Sequence, residues 1–160
     1  MFEVKTILAP IDFSLASQAA FDTAKVIAAK FAAKLVTMSV IPPPKVYWDA
    51  GPDFSVTDGN LQRNSATERL AKFNREDGGE IERVVRVGDA KLLIVHEADD
   101  RHCDLIVMGT AGRSGIGRLL LGSVAEYVSR RAPCPVLLIK APPEEVSPQL
   151  HSESSQTVHA

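Results

Sequence analysis

Residues 104 to 123 concentrate the chemistry of this chain: Asp-Leu-Ile-Val-Met-Gly-Thr-Ala-Gly-Arg-Ser-Gly-Ile-Gly-Arg-Leu-Leu-Leu-Gly-Ser. An apolar run of β-formers, Leu105 to Met108, stops at Gly109, and further glycines stand at 112, 115, 117 and 122 before a helical pattern begins. Glycine lets backbone N–H groups converge on one point and removes the Cβ that would hold an anion at a distance. The helix that follows adds unpaired N–H groups and the positive end of its dipole, with Ser123 expected as N-cap and Glu126 at N3 closing a capping box. A phosphate is the expected occupant, with Arg113 and Arg118 supplying positive charge. The plain alternative is a flexible glycine-rich connection that binds nothing.

Neither of the two familiar phosphate loops is present. A P-loop closes its glycines with Lys-Ser or Lys-Thr, and the dinucleotide fingerprint G-x-G-x-x-G follows the first strand. No Lys-Ser or Lys-Thr pair closes the glycines of this chain, and its first strand is followed by Ile11-Asp12-Phe13-Ser14.

The spacing resembles instead the nucleotide loop of the universal stress protein family, G-x2-G-x9-G-(S/T), filled here by Gly109, Gly112, Gly122 and Ser123. The flanks resemble that family too: Cys-Asp-Leu-Ile-Val-Met-Gly before the loop, Gly-Ser-Val-Ala-Glu-Tyr-Val and Ala-Pro-Cys-Pro-Val-Leu-Leu-Ile after it, and Thr-Ile-Leu-Ala-Pro-Ile-Asp-Phe-Ser at 6 to 14. The likeness covers about residues 3 to 140. It implies an ATP or AMP pocket at Asp12, Val40, Met108, Gly109, Gly112, Gly122, Ser123 and Val124. Pro10 joins that set by its place at the end of the first strand, and Arg113 on electrostatic grounds.

Alternating apolar segments must position these residues. Val4 to Pro10 and Lys34 to Ile41 read as buried parallel strands, the second stopped by Pro42-Pro43-Pro44. Between them, Leu15 to Ala33 repeats apolar residues at helical spacing and is rich in alanine, which suits close packing on a sheet. Asp12 or Ser14 would cap that helix, and Asp12 is also a candidate acceptor for ribose or base donors. Residues 45 to 59 have no periodicity and carry Tyr47 and Trp48, read as a loop over the sheet's edge. Leu61 to Arg75 follows as a polar-faced helix, Ile81 to Val87 as a strand with alternating charges, and a helix runs from Gly88-Asp89 to about Arg101. After the glycine segment come a helix, Val124 to Arg131, and a fifth strand, Val136 to Ile139.

Strands alternating with helices predict an α/β fold, an open five-stranded parallel sheet with helices on both faces, Rossmann-like. The family resemblance implies strand order 3-2-1-4-5. That order puts the ends of strands 1 and 4 side by side at the topological switch point, where open α/β sheets bind ligands, about 4.8 Å apart. The domain is expected over residues 1–140. Residues 141–160, rich in Pro, Ser and Glu, are expected to be a disordered tail.

A hydrophobic fraction of 45% over 160 residues supports one core, and a net charge of −2 with interspersed signs argues against nucleic-acid or membrane-surface partners. The chain runs into strand-like sequence without a leader pattern or an eighteen-residue apolar window, so a cytoplasmic protein is expected. Cys103 and Cys134 lack metal or redox spacing and read as small buried residues, although both directly precede neighbouring strands. His96 and His102 show no ligand companion and no matched carboxylate.

Three function classes remain. The first is an adenine-nucleotide-binding stress-response or regulatory protein, homodimeric through the exposed edge Val136 to Ile139, with ATP, ADP or AMP bound and any Mg2+ or Mn2+ held by the phosphates. The second is a slow ATPase or nucleotidyl-transferring enzyme, against which stands the absence of His-Ile-Gly-His and Ser-Gly-Gly-x-Asp-Ser. The third is an interaction module with an empty pocket.

Overall fold

The computed structural model describes residues 3–43, 59–73, 81–110 and 121–141. Five strands, β1 (Thr6–Pro10), β2 (Lys34–Ile41), β3 (Ile81–Val87), β4 (Leu105–Gly109) and β5 (Val136–Ile139), form one all-parallel sheet in the order β3-β2-β1-β4-β5. Four helices connect them: α1 (Leu15–Phe31), α2 (Gly59–Phe73), α3 (Ala90–Asp100) and α4 (Ser123–Arg131). The expected fold class and strand order are both present.

Side chains alternate across a strand, so each central strand feeds two cores. On one face Ile7, Ala9, Leu35, Leu105 and Val107 pack with Phe21 of α1 and Leu70 of α2. On the other, Leu8, Val36, Met38, Ile106 and Met108 pack with Ile94 and Ala98 of α3 and Val128 of α4. In α1 the buried alanines 16, 20, 24 and 28 recur every four residues, a small-residue stripe that brings the helix close to the sheet.

Element limits differ from the sequence reading by a few residues. The first strand begins at Thr6 rather than Val4. α1 ends at Phe31 because Ala32 turns into the left-handed region (φ 52°, ψ 39°), its amide bonded to the Ala28 carbonyl. α2 starts at Gly59, earlier than expected, and ends at Phe73. Gly88, at φ 150°, makes the turn into α3 while its amide donates to the Ile41 carbonyl at 2.9 Å. Most of the 45–59 segment with Tyr47 and Trp48, and the tail beyond Ala141, lie outside the described residues.

The two sheet edges differ in chemistry. On β3, Glu82 and Arg86 join a lattice with α3: Arg86 reaches the buried Glu97 carboxylate through Nε at 3.1 Å and Nη2 at 3.2 Å, and Arg101 Nη1 reaches Glu82 at 2.7 Å. On β5, Val136, Leu138 and Ile139 are half-buried and Leu137 is exposed.

The amino-terminal end of the β1–β4 contact is pinned by Asp104, whose Oδ2 accepts from the Lys5 and Thr6 amides at 2.8 and 2.9 Å. Those amides, Lys5 first, hold its carboxyl below its ordinary pKa. A depressed folded-state pKa adds stability above the unfolded value, about 4, and that stability is lost as pH falls through the lower folded value. Asp104→Asn should therefore flatten the fall in melting temperature below about pH 4. An acid limb as steep as that of the wild type would show that the contact contributes nothing.

Candidate functional site

The crevice begins with a missing hydrogen-bond donor. Strand residues direct their backbone groups to alternate sides. The Thr6 carbonyl accepts from the Asp104 amide on the β4 side, while the Ile11 amide donates to the Met38 carbonyl on the β2 side. Pro10 therefore faces β4 and has no N–H to give. The paired register of β1 with β4 stops at Leu8 and Ile106, whereas β1 stays paired with β2 through Pro10 and Met38. Beyond that point the strands frame a cleft of about 190 Å³ at the carboxyl edge of the sheet.

Eight of the ten expected site residues line this cleft: Pro10, Asp12, Val40, Met108, Gly109, Gly122, Ser123 and Val124. The other two, Gly112 and Arg113, lie outside the described residues, as does Arg118. The structure adds Ile11, Ser14, Ser17, Met38, Ala90, Ile94, Thr110 and Ala125. Met38 is the inward neighbour of Val40 on the same strand face, so period-2 counting would have found it. Ser17 follows from the turn of α1 above Ser14; Ala90 and Ile94 lie on the first turns of α3, which carry no signal of a ligand.

Gly109 lines the cleft and also serves a packing purpose that the sequence reading did not include. A Cβ there would stand 2.8 Å from the Ala16 Cβ and 3.0 Å from the Ser17 backbone nitrogen. Glycine at the end of β4 is what admits the first turn of α1, so its close approach is to a helix.

That first turn is held by a chain of short-range bonds. Asp12 Oδ1 accepts from the Ser14 amide at 3.0 Å and from the Ser14 hydroxyl at 2.6 Å. Ser14 is the N-cap, its Oγ accepting from the Ser17 amide at 3.2 Å. The two readings of Asp12 are thus compatible: one carboxylate oxygen orders the turn, and the other has no protein donor among the described residues.

The expected capping box on α4 does not form. Gly122 is the N-cap, extended at φ −63° and ψ 148°, and Ser123 is the first helical residue. The register shifts because the Gly122 amide is committed to the Thr110 carbonyl at 2.7 Å, while the Thr110 amide donates to the Ile139 carbonyl at 2.9 Å. Glu126 instead pairs through its carboxylate with Arg130 at 3.1 Å. Gly122 has no side chain to cap with, and among the described residues no acceptor meets the amides of Ser123, Val124 and Ala125. All three residues line the cleft. The α3 terminus, by contrast, is capped by Asp89, which accepts from the Lys91 amide at 2.8 Å.

The remaining candidates stand apart from the cleft. Cys103 is buried and Cys134 half-buried, both as free thiols. Burial first, and then the neighbouring Cys134, pushes the Cys103 thiol up to about 12, which leaves it little thiolate with which to react. His96 has a carboxylate partner that the sequence reading missed, Asp100 at 2.8 Å one helical turn on, with both side chains exposed. His102 follows α3 at φ 49° and is exposed. Among the described residues no group of three or more His, Cys, Asp or Glu side chains is disposed to hold a metal ion, and no helix is long and apolar enough to cross a membrane.

Comparison with known proteins agrees with this architecture. The family model of the universal stress protein family matches residues 3–140. A universal stress protein of Methanocaldococcus jannaschii is 34% identical over 148 residues, covering 88% of this chain and 85% of the relative. Among solved structures, the universal stress protein UspA from Lactobacillus plantarum is 27% identical with a TM-score of 0.68, covering 86% of this chain and 98% of its own. A universal stress protein solved in complex with cAMP is also 27% identical, with a TM-score of 0.66 and coverage of 87% and 99%. With a family match spanning most of the chain and relatives aligned over nearly their full lengths, this chain belongs to the universal stress protein family.

Proposed function

We propose that the chain binds an adenine nucleotide, ATP or its di- or monophosphate, in the β1–β4 cleft and acts as a homodimeric regulatory or stress-response protein of the cytoplasm. The observation that carries this reading is the open amino terminus of α4. Three amides that meet no acceptor among the described residues belong to residues lining a cleft, whose lining also includes Asp12, one carboxylate oxygen of which has no protein donor among the described residues. Such a terminus attracts an anion, and a carboxylate across from it accepts hydroxyl or amino donors. A phosphate at one end and a ribose at the other satisfy both. Apolar Val40, Met38 and Ile94 supply a surface for a base. The cAMP complex of a relative supports the adenine class. Any Mg2+ would be carried by the phosphates.

The dimer reading rests on the contrast between sheet edges. The β3 edge is guarded by Glu82, Arg83 and Arg86, whereas β5 presents Val-Leu-Leu-Ile with Leu137 exposed. An unguarded apolar edge invites strand pairing, and two copies related by a twofold axis pair antiparallel.

Mass spectrometry of gently denatured, freshly purified protein should release an adenine nucleotide. A phosphate-release assay then distinguishes binding from slow hydrolysis. Asp12→Ala should weaken ATP binding by about 1 to 3 kcal/mol, the loss of a charged acceptor. Asp12→Asn, which keeps an acceptor for the Ser14 amide, separates that loss from any loosening of α1. Gly122→Val, placing a branched side chain beside the α4 amides, should weaken ATP while the sheet stays folded by circular dichroism. Unchanged affinity in folded variants would reject the placement of the nucleotide. For the dimer, Leu138→Pro removes a ladder donor and should scatter light as a monomer, whereas truncation after Lys140 should leave the dimer intact. A wild-type chain that is monomeric at tens of micromolar would refute the interface.

A further inference from the structure

Phe13 is the strained link in the wall of the cleft. Its φ of 65° lies in the left-handed region, which a bulky side chain seldom enters. Such a conformer persists where its surroundings over-determine it. Here those surroundings come from α2: the Phe13 ring meets Phe73 edge-on, with centroids 5.7 Å apart and planes at 81°, and the Arg69 guanidinium lies 4.1 Å from the Phe13 centroid. Phe73 is seated in turn on the buried Phe21 of α1, at 5.2 Å. Neither Arg69 nor Phe73 lines the cleft.

On its other side Phe13 is flanked in sequence by two cleft residues. The bonds from the Ser14 amide and hydroxyl to Asp12 Oδ1 span Phe13, and the Ser14 cap on the Ser17 amide follows from them. Rotating Phe13 to negative φ would swing the Asp12 carboxylate relative to Ser14, so these bonds depend on the left-handed turn. We propose that Phe13 is a positioning residue of the cleft and that α2, through Arg69 and Phe73, tunes nucleotide affinity by holding Phe13 in that turn. The proposal rests on the nucleotide reading above. Coupling of this kind is reciprocal: a nucleotide on Asp12 stiffens the end of α2, and anything that draws the exposed Arg69 off the ring loosens the site.

Two measurements test it. In ligand-free protein, amide exchange of Ser14 and Ser17 is followed by NMR for the wild type, R69A, F73L, F13L and F13G; in parallel each is titrated with ATP. R69A, altered on the surface, should exchange faster at Ser14 and bind ATP about two- to fivefold more weakly, as expected for loss of an exposed cation–π contact. F13L, which keeps a bulky residue at φ 65° without the aromatic cage, should lose roughly tenfold. F13G should lose less, because glycine adopts this φ without strain. The double variant F13G/R69A should bind no worse than F13G, since Arg69 acts through the ring. F73L also disturbs Phe21, so a lowered melting temperature there does not decide the matter, and R69A does. Unchanged Ser14 exchange and unchanged affinity in R69A and F13L overturn the proposal, even where melting temperatures fall. If the wild type takes up no ATP, the nucleotide reading fails by itself. The exchange data then judge the coupling alone, faster Ser14 exchange in R69A supporting it and unchanged exchange refuting it.

Discussion

Everything at the carboxyl edge of this sheet depends on β1 and β4 parting after two paired residues. Pro10 brings this about by withholding one N–H on the side facing β4. Asp104 works against the same tendency at the other end, bonding the Lys5 and Thr6 amides. The strands are thus tied at one end and open at the other, and the gap needs no domain interface or insertion to form it. Gly109 then lets the first turn of α1 press against the end of β4, so one wall of the gap is a helix terminus rather than solvent.

The helix termini divide the labour. α1 and α3 each spend a side chain on one of their own first-turn amides, Ser14 on that of Ser17 and Asp89 on that of Lys91. α4 spends none, because its N-cap is glycine. A single residue of register underlies this: with Ser123 one position earlier its hydroxyl would cap the helix, and the cleft would lose both that hydroxyl and free amides. The bond from the Gly122 amide to the Thr110 carbonyl, which brings the two ends of the glycine segment together, sets that register.

Most strand limits, the alternation of elements and half of the cleft's lining were legible in the sequence, since apolar periodicity and glycine spacing record burial and close approach directly. The strand order came from the likeness to a family rather than from periodicity. What sequence could not show were choices that depend on a tertiary partner. Gly109 reads as a phosphate-loop glycine, and its second role, admitting Ala16, is visible once α1 is in place. The Ser123 capping box matches its motif, yet it loses to a backbone bond from the Gly122 amide to a carbonyl twelve positions earlier. Phe13 is a favourable residue for a strand, and its left-handed turn is visible once the α2 side chains that surround it are in place. The His96–Asp100 pair, by contrast, is local, one helical turn apart, and counting four residues along α3 finds it.

The unequal sheet edges bear on assembly in bulk. A sheet with two apolar edges can stack head to tail, edge upon opposite edge, and such a contact never closes. Here β3 carries Glu82 and Arg86, which pair with Arg101 and the buried Glu97 of α3, so a β5 strand set beside it would meet charged side chains rather than a second apolar edge. Such a contrast disfavours edge-to-edge growth into a filament. An association through the apolar edge would use up, of the two, the edge that invites pairing.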